Sequence, residues 1–134
     1  MWRYGPSVQG EVTRYVLERH RNYTSALDVG CNLGFMLARL QQANPQAQHY
    51  GTDISPTVLA LARARCPQCA ALAPFDLATL LDDEIASQAG VQPLAAGLPT
   101  AVDLVVVSDV LFYMPYGHLP PALGRLVPSA GLRP

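Results

Sequence analysis

A short apolar run that stops at a glycine-bounded turn and restarts as a helix narrows the folds open to this chain more than any other feature. Ala26-Leu27-Asp28-Val29 reads as a buried strand and Gly30-Cys31-Asn32-Leu33-Gly34 as the turn. From Gly34 to about Gln42 the apolar residues Leu33, Met36, Leu37 and Leu40 recur at helical spacing. Asn44-Pro45 ends that helix, because proline disfavours helix in the residue before it.

The same alternation continues along the chain. Val8 to His20 places Val8, Val12, Tyr15 and Val16 on one helical face, with Leu17 beside them. His49 to Thr52 reads as a second strand. Ser55-Pro56 reads as a helix start, with Ser55 as the cap and Pro56 in the first helical position. That helix uses Val58, Leu59, Leu61 and Ala62 and ends near Cys66-Pro67. Ala70 to Phe75 is a third strand, Leu77 to Ala89 a helix or helical turn, and Gly90 to Thr100 a glycine- and proline-rich loop. Val102 to Val107 is the clearest strand, and its apolar run predicts burial on both faces of a parallel sheet. Leu119 to Val127 is a last helix, with Pro120 and Pro121 tolerable in its first turn. Strands alternating with helices predict an α/β fold, a three-layer open parallel sheet joined by right-handed crossovers.

Length and composition set the outer limits. The 134 residues suit one domain, and half of them are apolar, so a packed core is expected rather than disorder. A net charge of −1 gives no whole-chain field to attract nucleic acid or an anionic membrane, and no aromatic-basic stripe indicates nucleic-acid readout. No apolar run is long enough to cross a bilayer, so no membrane is expected among the partners. Three cysteines, an odd number, do not suggest a disulfide framework. A reducing, cytoplasmic setting is the default, with organelle import left open.

A strand-turn-helix of this kind places a ligand outside the carboxyl ends of the strands, near the switch in strand order. Gly30 removes a side chain where backbone approaches the ligand, and Gly34 lets the helix start pack close to the sheet. Free amides at the helix N-terminus can hold a carboxylate or a polar ligand edge. The run from Leu27 to Phe35 resembles the first motif of class I, Rossmann-like S-adenosylmethionine-dependent methyltransferases, with Asp28, Gly30 and Gly34 at its acidic position and outer glycines. Asn32 stands where the family has its middle glycine, and asparagine is the non-glycine residue most at ease in the left-handed region.

Three further segments resemble the family in order. Tyr50-Gly51-Thr52-Asp53-Ile54-Ser55 resembles the second motif, which implies that Asp53 accepts from both ribose hydroxyls and that Ile54 lies against adenine. Phe75-Asp76-Leu77 resembles the third, which implies that Asp76 accepts from the adenine amino group. Val102 to Tyr113 resembles the fourth strand and the segment after it, placing Ser108, and with it Asp109 and Tyr113, beside the methyl donor and substrate. The resemblance implies S-adenosylmethionine as cofactor and methyl transfer to a small-molecule or sugar acceptor. It also implies a single partial domain over 1–134, with a helical segment at 1–24 and the cofactor-binding half at 25–134, carrying about four of the family's seven strands. Val102 to Val107 would then lie at a bare sheet edge, open to self-association or a partner chain.

Other readings stand beside this one. Asp53 and Asp76 each suit a helix cap as well as a ligand. Cys66-Pro67-Gln68-Cys69 has the spacing of a zinc or redox pair, but no second pair completes a zinc site, and the pair follows a helix instead of opening one. Cys31 reads as a small buried apolar group, Asp82-Asp83-Glu84 as a solvated face, and His118 as a surface histidine or a general base. A nicotinamide-dependent oxidoreductase needs G-x-G-x-x-G, which Gly30 to Gly34 lacks. A non-catalytic partner-binding module is the remaining alternative. No metal site and no catalytic residue are identified.

Overall fold

The computed structural model describes residues 8–87, 93–107 and 117–129. Its elements run α1 (Val8–Arg19), β1 (Ser25–Val29), α2 (Phe35–Ala43), β2 (Gln48–Asp53), α3 (Pro56–Arg65), β3 (Ala71–Pro74), a 3-10 turn (Leu77–Leu81), α4 (Asp83–Ala86), β4 (Leu104–Val107) and α5 (Leu119–Ser129). The four strands form one parallel sheet in the order β3-β2-β1-β4. The chain moves outward from β1 to β3 and then returns to the far side of β1. The strand order therefore reverses at β1, and the crevice this creates opens at the carboxyl end of that strand.

The pleat divides the core into layers. Leu27 and Val29 of β1 and Ala73 of β3 pack with Leu77, Leu80, Leu98, Val102, Ala122 and Leu126 on the side of the 3-10 turn and α5. Ala26 of β1 and Val106 of β4 face Val16, Tyr23, Met36, Leu40 and Ala47 on the side of α1 and α2. A third cluster joins α3 to that side through Leu37, Leu59, Ala62 and the three cysteines. Helices on both faces of a parallel sheet make the three-layer α/β architecture. Met36, Leu37 and Leu40 of α2 are at most 1% exposed, each gaining about 1.5–3 kcal/mol from burial. Cys31, Leu37 and Leu72 crowd Gly51 so closely that a Cβ there would lie 2.7–3.0 Å from their side chains.

Several sequence expectations change. Tyr15 is 55% exposed, beside Arg19 and His20, so the buried face of α1 turns on Val16. Leu61 is 53% exposed, because α3 buries Leu59 and Ala62 instead and continues that line to Cys66. The stretch after β3 is not one helix. Asp76 caps the 3-10 turn by accepting from Ala78 N–H, and Asp82 accepts from Glu84 N–H and restarts the chain as α4. Residues 88 and 89 lie outside the described set.

β4 differs most from its sequence pattern. It starts at Leu104, and only Val106 is buried. Among the described residues β4 pairs with β1 alone, so it is an edge strand, as the resemblance implied, although both its faces meet the core, Val105 and Val107 on one side and Leu104 and Val106 on the other. Its start is clasped to β1. Asp103 N–H donates to Ser25 O and Oγ, while the Asp103 carboxylate accepts from Thr24 N–H and the Thr24 hydroxyl.

Cys66 and Cys69 form a disulfide, against the expectation from the odd count. The Pro67-Gln68 turn, with Cys69 N–H donating to Cys66 O, brings their Cα atoms to 5.6 Å and leaves Cys31 as the unpaired thiol. The cysteine count therefore no longer argues for a reducing compartment. No helix among the described residues is long and apolar enough to cross a membrane.

His49 is fully buried on β2. Its Nδ1 pairs with Gln41 Oε1 at 2.8 Å and its Nε2 with the Tyr23 hydroxyl at 2.7 Å. An amide oxygen only accepts, so Nδ1 carries the proton and the hydroxyl donates to Nε2. Burial holds the imidazole below its ordinary pKa, with a hydrogen bond to the Ala47 backbone opposing. The folded state thus excludes a proton that an unfolded histidine takes up below pH about 6.5. This contribution to stability is whole above that pH and is lost as pH falls toward the depressed value, with a slope of up to about 1.4 kcal/mol per pH unit. Urea unfolding from pH 7.5 to 5 is expected to show that loss, and His49→Gln to abolish it. An equal slope in the variant would assign the effect to other groups.

Candidate functional site

The turn after β1 sits where the strand order reverses. It holds three successive departures into left-handed backbone, at Gly30 (φ 78°), Asn32 (φ 52°) and Gly34 (φ 82°). Asparagine thus occupies the conformation inferred for it. The amides of Gly30 and Cys31 both donate to Thr52 O, at 2.8 and 2.7 Å, and Gly34 N–H donates to Cys31 O at 3.0 Å. The turn is therefore stitched to β2 and to itself. The expected donors are not the amides of Gly30, Cys31, Asn32 and Gly34, which are already engaged. They lie in the first turn of α2, which starts at Phe35 with no side-chain cap. Gly34 packs against α3, not the sheet. A Cβ there would lie 3.1 Å from Ala62 Cα and Cβ.

Asp53 ends β2 beside this turn. Its Oδ2 accepts from Asn32 N–H at 3.0 Å and its Oδ1 from Ser55 N–H at 3.1 Å. One carboxylate thereby ties the turn to the start of α3, where Ser55 Oγ accepts from Val58 N–H as a cap should. Each oxygen keeps a second lone pair for a ligand hydroxyl. Ile54, the next residue, is 56% exposed. Phe75 N–H donates to Asp53 O, which sets the end of β3 beside the end of β2. Asp76 follows, exposed, with Oδ1 engaged in capping the 3-10 turn.

Asp28 is buried on β1 and does not face solvent. Cys31 is buried as well. Burial first, and then the charges of Asp28 and Asp53, push its thiol up to about 12, so it stays protonated and inert, as expected of a small apolar group. Ser108, Asp109 and Tyr113 lie outside the described residues. His118 is exposed at the start of α5. Among the described residues no group of three or more histidine, cysteine or acidic side chains is placed to hold a metal.

Sequence reasoning passed over three participants. The Thr52 carbonyl anchors two turn amides, and Thr52 Oγ1 is buried with no hydrogen-bond partner among the described residues. Arg65 Nη1 donates to Leu33 O at 2.7 Å, and its guanidinium lies 3.8 Å from the centroid of the Phe35 ring. Phe35 itself is 48% exposed at the first position of α2. The position of Thr52 before Asp53 was a usable signal. Arg65 carried none, because it meets Leu33 only when α3 packs on α2.

The site is thus a rigid turn at a switch point, an uncapped helix start, a carboxylate held at the next strand end and an exposed aliphatic side chain beside it. A family profile described as a methyltransferase domain matches residues 27–129, from β1 through α5, and the chain belongs to that family. No curated protein matches it. Solved structures share the fold. A TehB-like SAM-dependent methyltransferase from Corynebacterium glutamicum superposes with a TM-score of 0.64 at 21% identity, over 89% of this chain and 55% of that one. CalS10, an amino pentose methyltransferase from Micromonospora echinaspora solved with SAM bound, gives 0.64 at 22% identity, over 94% and 45%. The sugar N-methyltransferase KedS8 from Streptoalloteichus gives 0.62 at 21% identity, over 93% and 43%. The chain spans about half the length of these structures.

Proposed function

We propose that this chain binds S-adenosylmethionine and forms the donor side of a methyltransferase whose acceptor is a small molecule or sugar. The observation that carries the reading is the Asp53 carboxylate, held by Asn32 and Ser55 amides beside the left-handed turn. The fit has physical content. A turn bounded by Gly30 and Gly34 leaves no side chain over the crevice at those positions, and the start of α2 offers first-turn amides to a ligand carboxylate. Asp53 receives the ribose hydroxyls, Ile54 covers the adenine, and Asp76 and Ser108 complete the contacts, with Asp28 supporting the turn from below. When bound, the donor supplies a methyl group on a sulfonium leaving group. The protein's own task is to position and desolvate the two partners, which requires no acid-base pair.

The acceptor class draws on CalS10 and KedS8, which are described as amino pentose and sugar N-methyltransferases. A single partial domain, with the segment 1–24 leading into a cofactor half at 25–134, and a cytoplasmic setting belong to the same reading. A second reading, partner binding or self-association through β4, is favoured by the apolar edge on which Leu104, Val105 and Val107 are partly exposed.

Thermal unfolding with S-adenosylhomocysteine and with NAD separates the readings. S-adenosylhomocysteine at a hundred times its Kd is expected to add about 2.7 kcal/mol of stability, and NAD none. A response to NAD alone would replace methyl transfer with nicotinamide chemistry. A response to neither would leave the partner-binding reading.

A further inference from the structure

The crevice turn has an outer side, and α3 covers it. Ala62 lies against Gly34, and one turn further on Arg65 reaches back over the same segment. Its Nη1 holds Leu33 O at 2.7 Å, while its guanidinium Cζ lies over the Phe35 ring, 3.8 Å from the centroid. The two grips fall on either side of Gly34, the residue at φ 82°.

That placement matters because of what glycine does not decide. The peptide joining Leu33 to Gly34 turns over by a change in Leu33 ψ and Gly34 φ, and glycine accepts either sign of φ. A flipped peptide would aim the Leu33 carbonyl away from α3 and break the Gly34 N–H bond to Cys31 O. It would also disturb the entry into α2, whose first-turn amides are the donors the ligand needs. Arg65 gives the Leu33 carbonyl a charged donor on the α3 side and so favours one orientation. Arginine suits the task because its planar fork donates in-plane while stacking on an aromatic face, which an ammonium does less well.

We propose that Arg65 is a positioning residue for the methyl donor, fixing the Leu33–Gly34 peptide so that the start of α2 faces the bound ligand. This assignment rests on the donor-binding reading above.

The test is calorimetric titration of S-adenosylhomocysteine into the unaltered protein, Arg65→Ala, Arg65→Lys and Phe35→Leu, with amide hydrogen exchange across residues 31–37 in each. Arg65→Ala is expected to weaken binding about tenfold, the scale of one lost charge-assisted hydrogen bond. Exchange is expected to quicken at residues 33–37 and stay unchanged in the sheet. Arg65→Lys keeps a donor for Leu33 O and is expected to recover part of the affinity. Phe35→Leu keeps the hydrogen bond and removes the stack, and is expected to lose less than Arg65→Ala. Unchanged affinity in Arg65→Ala would overturn the assignment. So would exchange that quickens throughout α3 with no rescue by lysine, which marks a purely structural role. Failure of the unaltered protein to bind S-adenosylhomocysteine would overturn the donor-binding reading and this assignment with it, whereas normal binding that Arg65→Ala leaves intact would sink the assignment alone.

Discussion

Gly34→Ala is expected to lower the unfolding free energy by about 2–4 kcal/mol and to abolish measurable donor binding. Two costs combine. An L side chain at φ 82° enters the left-handed region, at about 1–2 kcal/mol. Its Cβ also meets Ala62 Cα at 3.1 Å, and backbone cannot swing aside as a side-chain tip can, so α2 and α3 must part. Gly97→Ala isolates the first cost. Gly97 has φ 87°, but a Cβ there finds nothing nearer than Ala71 Cβ at 4.0 Å. Urea denaturation of both variants measures the difference. Equal losses would mean that the close approach of α3 to the turn does not restrict this position.

Asp53→Ala is expected to weaken S-adenosylhomocysteine binding about a hundredfold while costing only about 1 kcal/mol of stability. The affinity falls because two charge-assisted hydrogen bonds to the ribose disappear, and each tenfold corresponds to about 1.4 kcal/mol. Stability falls less because Asn32 N–H and Ser55 N–H sit where water can replace the carboxylate, Asp53 being only partly buried. Asp53→Asn is expected to fare little better. Its amide NH2 would confront one of those two N–H donors, and a donor cannot satisfy a donor. Calorimetry on folded variants measures both. Wild-type affinity in Asp53→Ala would remove the basis for placing the ribose at this carboxylate.

Much of the site was legible because it is built from near neighbours. The turn at residues 30–34 needs left-handed backbone at alternate positions, and Gly30, Asn32 and Gly34 announce that directly. Ser55 and Pro56 mark the start of α3 with side chains that act within three residues. Asp53 was found at the end of its strand, although its amide partners were not foreseen. Asp76 satisfied the plainer of its two readings, a cap, because an acceptor two residues before Ala78 N–H meets that need locally.

What escaped the sequence depends on distance along the chain. Leu61 and Leu59 are equally apolar, and only the direction from which the sheet approaches decides that Leu59 is buried and Leu61 is not. Nothing local to His49 in the sequence marks Tyr23 or Gln41 as its partners, 26 and 8 residues away, and only the fold brings them to its ring. Leu104 to Val107 is apolar throughout, yet the partial exposure of Leu104, Val105 and Val107 goes with their place at the edge of the sheet. The sequence alone determined the alternation of strands and helices, the conformation of the crevice turn and the carboxylate that borders it, since turns, caps and periodicity act over about four residues. Tertiary structure alone decided the reversal of strand order at β1, the pressing of Ala62 on Gly34 and the grip of Arg65 on Leu33. Those contacts join residues 28 to 78 apart, and no local preference encodes which distant surfaces meet.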